Sequence, residues 1–214
     1  MKKVLIVIAA LFLMHCGSGP TGTEPPSNNT MTLEELLDAG WQAFAGDRYV
    51  TAKQYFDQAL IKESANSSAN LGKGWSLLLE GSSHYQIALN AFDQAIQDVN
   101  CEADCRAGII STKFVQQKYD EIPSLISIML SKYPKYSFSH KSDINWQDLL
   151  LMKAQAFYFN RQYLQAWTTV KQLTSEYNYI DPEASETWIV EEQTFFSFEA
   201  VLSRIIHILS NTFK

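Results

Sequence analysis

From residue 31 onward, apolar residues recur at steps of three and four, which is the spacing of one face of an α-helix. The first such segment follows Thr32, which together with Glu35 forms the sequence pattern of a helix capping box. Its apolar stripe consists of Leu33, Leu36, Leu37, Trp41 and Phe44. Gly46 and Asp47 end this helix, and a second helical pattern begins at Tyr49. Because no sustained alternation of apolar and polar residues follows, the pattern predicts an all-α fold.

The helical pattern also repeats. Gly40-Trp41 returns as Gly74-Trp75, 34 residues later. Further pairs at the same offset are Gly74 with Gly108, Tyr85 with Tyr119, Ala88 with Ile122, Phe92 with Ile126 and Ala95 with Met129. Between the first two units, the second helices match at 36 instead, as Tyr49 with Tyr85, Ala52 with Ala88, Phe56 with Phe92 and Ala59 with Ala95. A fourth unit is indicated by Ala154, Phe157, Tyr163, Ala166, Val170 and Leu173. Such helix pairs bury their apolar faces only by stacking on neighbouring pairs.

The repeat unit resembles the tetratricopeptide repeat (TPR), with small residues at its eighth, twentieth and twenty-seventh positions and aromatic residues at the seventeenth and twenty-fourth. The first unit carries this pattern as Gly40, Ala52, Ala59, Tyr49 and Phe56. The resemblance covers residues 31 to about 178. It implies a right-handed α-solenoid of about four TPR-like helix pairs, in a repeat array that we place at residues 31–180.

The resemblance also implies a concave groove, lined by the first helix of each unit, as the place where a partner binds. The positions carried over are Leu37, Trp41, Phe44, Leu71, Trp75, Leu78, Ile109, Thr112, Leu151 and Tyr158. Because this lining is mainly apolar, it favours an apolar peptide or helix of a protein partner. Two alternatives stay open: the groove is filled by the chain's own tether or terminal helix, or Trp41 and Trp75 are stacking platforms for a glycan.

Residues 181–214 are predicted to form a C-terminal capping helix. Asp181 and Pro182 suit a helix start. An apolar stripe follows as Trp188, Phe195, Phe198, Leu202, Ile205, Leu209 and Phe213. A terminal element of a repeat array must cover the open end of the last unit, so capping is the expected role. The alternative is a helix that docks on another protein.

The N-terminus has the layout of a secretory signal, with Lys2 and Lys3 ahead of an apolar run over residues 4–13. Residues 13–17, Leu-Met-His-Cys-Gly, resemble the lipobox of bacterial lipoproteins. That resemblance implies cleavage after residue 15 and lipidation of Cys16. The alternative is an ordinary secretory signal with an unrelated cysteine.

Residues 16–30 are predicted to be a flexible tether, because nearly all of those after Cys16 are Gly, Pro, Ser, Thr or Asn. A flexible coil of this length reaches about 20 Å. Lipid attachment would hold the protein on a membrane without a transmembrane helix. Gly17, where an inner-membrane lipoprotein of enterobacteria would carry Asp, favours the outer membrane, with the folded part facing the periplasm.

Cys101 and Cys105 remain once Cys16 is assigned to lipid. A spacing of four at a helix start brings the two Cα atoms to about 6 Å, within the range of a disulfide. An exported chain favours that bridge. Free thiols are the alternative, whereas a metal site lacks further ligands in the neighbouring sequence.

The remaining composition carries little chemistry. The chain has a net charge of −6, which disfavours nucleic acid as a partner. His84, His140 and His207 are isolated and are expected in turns or on the surface. The sequence contains no phosphate-binding or dinucleotide-binding glycine motif in the folded region and no nucleophile elbow. We therefore expect a binding protein rather than an enzyme, with no cofactor and no metal.

Overall fold

A computed structural model describes residues 31–81 and 84–212 of the chain. The predicted signal peptide, Cys16 and the predicted tether lie outside the described residues. In the described residues the α-helices are α1 (Leu33–Ala45), α2 (Tyr49–Lys62), α3 (Ser67–Leu79), α4 (Tyr85–Ala95), α5 (Glu102–Val115), α6 (Ile122–Lys132), α7 (Trp146–Phe159), α8 (Tyr163–Leu173) and α9 (Phe198–Thr212). The remaining elements are a 3₁₀ turn (Ser185–Thr187) and the short strands β1 (Ile189–Val190) and β2 (Gln193–Thr194). The predicted all-α fold class is confirmed.

The chain divides into two compact units. Unit 1 comprises residues up to Thr112 together with Phe138–Ser142, and unit 2 comprises Lys113–Ser137 and the residues from Asp143 onward. The repeat array predicted over residues 31–180 is thus shared between both units. Within unit 1, α1 packs on α2, α2 on α3, and α3 on α4. Within unit 2, α6 packs on α7, and α7 packs on α8.

Local signals position the helix starts. The predicted capping box of α1 is present, since Thr32 N–H donates to Glu35 Oε2 at 2.7 Å and Glu35 N–H donates to Thr32 Oγ1 at 3.2 Å. Asn145 and Asp148 form the same arrangement at α7. Each box satisfies backbone N–H groups that a helix start leaves without partners.

The turn inside each helix pair contains one residue in the left-handed region, namely Asp47 (φ 56°), Gly81 (φ 72°), Gln117 (φ 60°) and Arg161 (φ 59°). In three of these turns the next residue donates its N–H to the carbonyl five positions earlier, as Arg48 to Ala43 (2.9 Å), Lys118 to Lys113 (3.1 Å) and Gln162 to Phe157 (2.8 Å). This is the geometry of a Schellman-type helix end. The repeat is therefore visible in the backbone of each pair as well as in its side chains.

Glycines in unit 1 make room for the phenylalanine of each second helix. A Cβ added at Gly40 would lie 2.6 Å from Phe56 Cε1, and one added at Gly72 would lie 2.3 Å from Phe56 Cζ. Phe56 is fully buried between these two first helices. The small residues are therefore required by the close approach of an aromatic ring, at a distance that no side chain tolerates.

Phe92 is enclosed in the same way, by Gly74 at 2.7 Å and Gly108 at 2.3 Å from the added Cβ. Gly108 therefore approaches Phe92 in the same way as Gly72 approaches Phe56. The predicted match of Gly108 with Gly74 at an offset of 34 is wrong, because the first helices of the second and third repeats correspond at 36. This shift changes which residues of α5 lie at groove positions.

The C-terminal region confirms the capping helix but corrects its start. Helix α9 begins at Phe198 rather than near Asp181. Its Val201, Leu202 and Ile205 are buried in one core cluster with residues of α7 and α8. This cluster also contains Leu151, Ala154, Ala166, Trp167, Val170, Tyr177, Ile180, Val190, Ile206 and Leu209.

Residues ahead of α9 form a hairpin where a helix was predicted. Strands β1 and β2 pair antiparallel, with Val190 opposite Gln193, so that Glu191 and Glu192 form a two-residue loop. Both loop residues have positive φ, at 49° and 64°. Two positive φ angles define a type I′ turn, which usually carries Asn and Gly. A Glu-Glu pair does not indicate a type I′ turn, so the hairpin was not predicted.

The predicted disulfide is absent. Cys101 and Cys105 are both free and buried. Burial, together with the nearby carboxylates of Asp98 and Asp104, raises the pKa of the Cys101 thiol to about 11. Burial also raises the pKa of Cys105. These side chains act as small apolar core residues of unit 1.

Candidate peptide-binding groove

The groove of unit 1 is built by the first helices of three successive repeats, α1, α3 and α5. Trp41 and Phe44 lie on one face of α1, and Trp75 lies at the corresponding place on α3. Trp41 Nε1 donates to Ser68 Oγ at 3.0 Å, and Trp75 Nε1 donates to the Asp104 carbonyl at 3.2 Å. Each indole is therefore fixed to the first helix of the next repeat, which gives the groove a defined floor.

The groove of unit 1 is occupied by residues 138–142, which we call the 138–142 segment. Phe138 is only 1% exposed, and its ring stacks on Trp75 with ring centroids 4.7 Å apart and planes inclined by 24°. It meets Phe44 edge-on at 5.8 Å and Trp41 edge-on at 6.3 Å. Aromatic contacts in this range are favourable beyond the apolar area that they bury. The segment is thus anchored by one ring set among three others.

The next three residues also contact the groove. Ser139 Oγ donates to Asp104 Oδ2 at 2.9 Å. The ring of His140 stacks on Trp41 with centroids 3.5 Å apart. Lys141 Nζ forms an ion pair with Asp47 Oδ1 at 2.8 Å. Four consecutive side chains, starting from Phe138, therefore each have a partner in unit 1.

Electrostatics differ along the groove. Asp104 is 6% exposed, so its contact with Ser139 lies in a poorly solvated place. Asp47 is much more exposed, and it also accepts from Tyr49 Oη at 2.5 Å. Burial lowers the pKa of His140, so the neutral ring is favoured on Trp41. His140 lies in a turn, as expected, and its ring is half-buried in the aromatic stack.

Predicted groove residues fall into two groups. In unit 1, Trp41, Phe44 and Trp75 meet at Phe138, whereas Leu71 and Leu78 are buried at 3% and 2% exposure. Leu37 is half-buried and follows the same face of α1 as Trp41 and Phe44. The structure thus brings the aromatic members together around one side chain.

Leu151 and Tyr158 belong to unit 2, and there they are covered by the chain itself. Leu151 is buried in the core cluster that contains α9, and Tyr158 packs against that cluster. Gln155 Nε2, on the same helix, donates to Ser210 Oγ of α9 at 3.1 Å. In unit 2, helix α9 therefore packs against the face of α7 that carries Leu151 and Tyr158.

Two groove residues, Asp104 and Phe138, were missed for identifiable reasons. The offset of 34 placed Ile109 and Thr112 in the groove, whereas the offset of 36 places Asp104 and Ser111 at the positions of Ser68 and Trp75. Phe138 was missed because it lies outside the helices. A phenylalanine flanked by two serines, in a segment without helical spacing, was the signal that could have indicated it.

Both tryptophans are covered by side chains of the 138–142 segment. Trp75 is 1% exposed beneath Phe138, and one face of Trp41 lies under His140. A sugar ring would need these faces free, so the glycan alternative has no open platform in this conformation.

Across residues 31–81 and 84–212, no group of three or more His, Cys, Asp or Glu side chains is arranged to hold a metal ion. Within the part of the chain that the structure describes, none of the helices combines the length and hydrophobicity needed to cross a bilayer.

Comparisons with known proteins identify the fold. No protein-family model matches the chain, and no curated protein matches it. The crystal structure of a tetratricopeptide repeat protein from Parabacteroides merdae ATCC 43184 is similar, with a TM-score of 0.53 and 14% sequence identity. The match covers 76% of this chain and 57% of that one, so this chain spans little more than half the length of the similar structure. The class of fold is therefore that of TPR-like helix pairs, as the sequence predicted.

Proposed function

We propose that this protein is a lipid-anchored scaffold of the bacterial cell envelope, whose groove in unit 1 binds a peptide segment of a partner protein. The observation that carries this proposal is the way in which the groove holds residues 138–141. Each of these side chains fills or pairs with a separate place on α1, α3, α5 or the turn after α1. A surface that accepts four consecutive residues in this manner has the properties of a peptide site.

The lining favours a protein partner over other ligands. Aromatic rings and two carboxylates, those of Asp104 and Asp47, surround the 138–142 segment. Aromatic side chains dominate the binding energy of protein interfaces, and an acidic rim disfavours polyanions.

Anchoring at the outer membrane is the second part of the proposal, and it rests on the sequence around Cys16. It is tested by labelling cells with a palmitate analogue and comparing the full-length protein with its Cys16→Ala variant. We expect the label and membrane association to disappear in the variant. Equal labelling of both proteins would contradict lipidation at Cys16.

The groove is tested by affinity capture with two matched variants. Leu37→Glu places a charge on the groove face of α1, whereas Ile61→Glu places the same charge on α2, where the native side chain is 84% exposed. We expect Leu37→Glu to lose the captured partner and Ile61→Glu to retain it. Capture that is equally strong for both variants, with both folded by circular dichroism, would remove the groove from consideration.

A further inference from the structure

The four anchored residues define a pattern of side-chain types. Phe138 supplies a buried ring, Ser139 a hydroxyl donor, His140 a flat ring and Lys141 a cation. The complementary groups are fixed in unit 1 by their own hydrogen bonds. The Asp104 backbone, for example, is tied to Trp75 through a 3.2 Å bond. The groove is therefore preorganised for this order of side chains.

The carboxylates of Asp104 and Asp47 determine which peptide charge the groove favours. After Phe138, the hydroxyl of Ser139 donates to the Asp104 carboxylate, and the ammonium group of Lys141 pairs with the Asp47 carboxylate. An acidic peptide would place carboxylates beside Asp104 and Asp47, and like charges at an interface are strongly unfavourable. A neutral or basic aromatic segment is the matching chemistry.

The 138–142 segment is suited to being replaced. It belongs to the connection between α6 and α7, outside any helix, and its anchoring contacts are made by side chains. A partner with the same side chains would regain the same contacts. Exchange of one segment for another thus leaves the helices of unit 1 in place.

We propose, building on the function proposed above, that the 138–142 segment is a built-in competitor and that the partner presents an aromatic residue, a hydroxyl residue, a flat ring and a cation in succession. The segment mimics the partner and holds the groove closed until a partner segment displaces it. An intramolecular competitor lowers the apparent affinity by the fraction of molecules whose groove is open. Opening the groove should therefore tighten binding of an external peptide.

The experiment uses the lipidated full-length protein in detergent and a fluorescein-labelled peptide, KYSFSHKSD, which is residues 135–143. Binding is measured by fluorescence anisotropy to wild type and to the double variant Phe138→Ser, His140→Ser. We expect saturable binding to the double variant, tighter than to wild type by about tenfold or more. Adding Asp104→Asn should weaken it, and a peptide with Ser in place of Phe should not bind.

A milder variant protects the test against loss of folding. Ser139→Ala with Lys141→Ala removes the two polar contacts and leaves Phe138 buried. It should show a smaller tightening in the same direction. Absence of saturable binding to both variants, with circular dichroism unchanged, would overturn the proposal, as would equal binding of the Phe-free peptide.

Other occupants give distinct results. If the double variant and wild type form a mixed dimer by light scattering, and the peptide dissolves it, the occupant is a second copy of the chain and the partner assignment is overturned. If a partner is captured through Leu37 but is not displaced by the peptide, the proposed function stands and the sequence preference fails. If the peptide binds and groove variants capture the same partners as wild type, the proposed function fails.

Discussion

The imidazole ring of His140 lies parallel to the indole ring of Trp41, with centroids 3.5 Å apart and planes inclined by 2°. The two residues are far apart in the chain, and only His140 can change its charge near neutral pH. Their stack therefore links the closure of the groove to the protonation state of one side chain.

The first prediction concerns pH. Burial lowers the pKa of His140 below its ordinary value of 6.5, so the unfolded chain takes up the proton at a higher pH than the native state. The contribution of the neutral ring to stability is fully present above pH 6.5, and it is lost as the pH falls toward the native pKa of His140. We expect the free energy of unfolding to fall more between about pH 7.5 and about pH 5 in wild type than in His140→Phe, which keeps a flat ring.

The comparison between these two proteins isolates His140. Burial raises the pKa of Asp148 to about 6, which acts in the opposite direction, but this contribution is the same in both proteins. Urea unfolding at each pH gives the four free energies. Identical changes in wild type and His140→Phe would show that the ring does not titrate in the stack.

The second prediction concerns the enclosed ring of Phe56. Gly72→Ala would place a methyl group 2.3 Å from Phe56 Cζ, and the Phe56 ring is fully buried. Overpacking costs up to about 3 kcal/mol, and the gain in helix propensity returns about 1 kcal/mol, so we expect a loss of about 2 kcal/mol. Chemical denaturation measures this loss.

Gly46→Ala is the matched control for that change. An added Cβ there meets nothing closer than 3.5 Å, and the residue has a negative φ. We expect its stability to lie within about 0.5 kcal/mol of wild type. Combining Gly72→Ala with Phe56→Leu should recover part of the loss, and an unrescued double variant would argue against the ring as the cause.

The third prediction concerns the hairpin before α9. Glu192 has a φ of 64°, which is unfavourable for a residue with a side chain and costs Gly nothing. We expect Glu192→Gly to stabilise the protein by up to about 1 kcal/mol. Glu183→Gly makes the same chemical change at an exposed position without positive φ and should be neutral or slightly destabilising. Thermal unfolding of wild type and the two variants measures these effects. A melting temperature of Glu192→Gly below that of wild type would contradict the type I′ turn.

The fourth prediction concerns the thiols. Since the pKa of Cys101 rises from 9.0 to about 11, its thiolate at a given pH is roughly 100-fold scarcer than that of an ordinary thiol. Iodoacetamide should therefore leave Cys101 and Cys105 unmodified in the native protein and alkylate both after unfolding. If both cysteines resist alkylation after unfolding, and the protein mass is lower by two hydrogens, the disulfide between Cys101 and Cys105 is present after all.

Local features of the fold were predictable because short-range physics determines them. The capping box of Thr32 and Glu35 and the apolar stripe of α1 depend only on neighbouring residues. The enclosing role of Gly40 and Gly74 followed from their recurrence with Phe56 and Phe92. By contrast, Gly72 and Gly74 are two positions apart, so the sequence could not tell which of them corresponds to Gly108, and packing against Phe92 decides it.

Features that depend on distant residues were not predictable. Phe138 is held in the groove by a tertiary contact with Trp75, and the residues next to Phe138 in the sequence do not indicate that contact. The stripe of Trp188 and Phe195 had helical spacing by coincidence, because the chain there turns at Glu191 and Glu192. The sequence therefore indicated the aromatic face of α1 and α3, whereas the contact of Phe138 with that face and the contribution of Asp104 on α5 came only from the structure.

The central claim is that a partner protein binds in the groove of unit 1, and photo-cross-linking in cells tests it most directly. p-Benzoylphenylalanine is introduced in place of Leu37 on the groove face of α1 and, as a control, in place of the exposed Ile61 on α2. We predict one intermolecular adduct from position 37, stronger when Phe138→Ser is combined with it, and none from position 61. The absence of an intermolecular adduct at position 37, with and without Phe138→Ser, would contradict the claim.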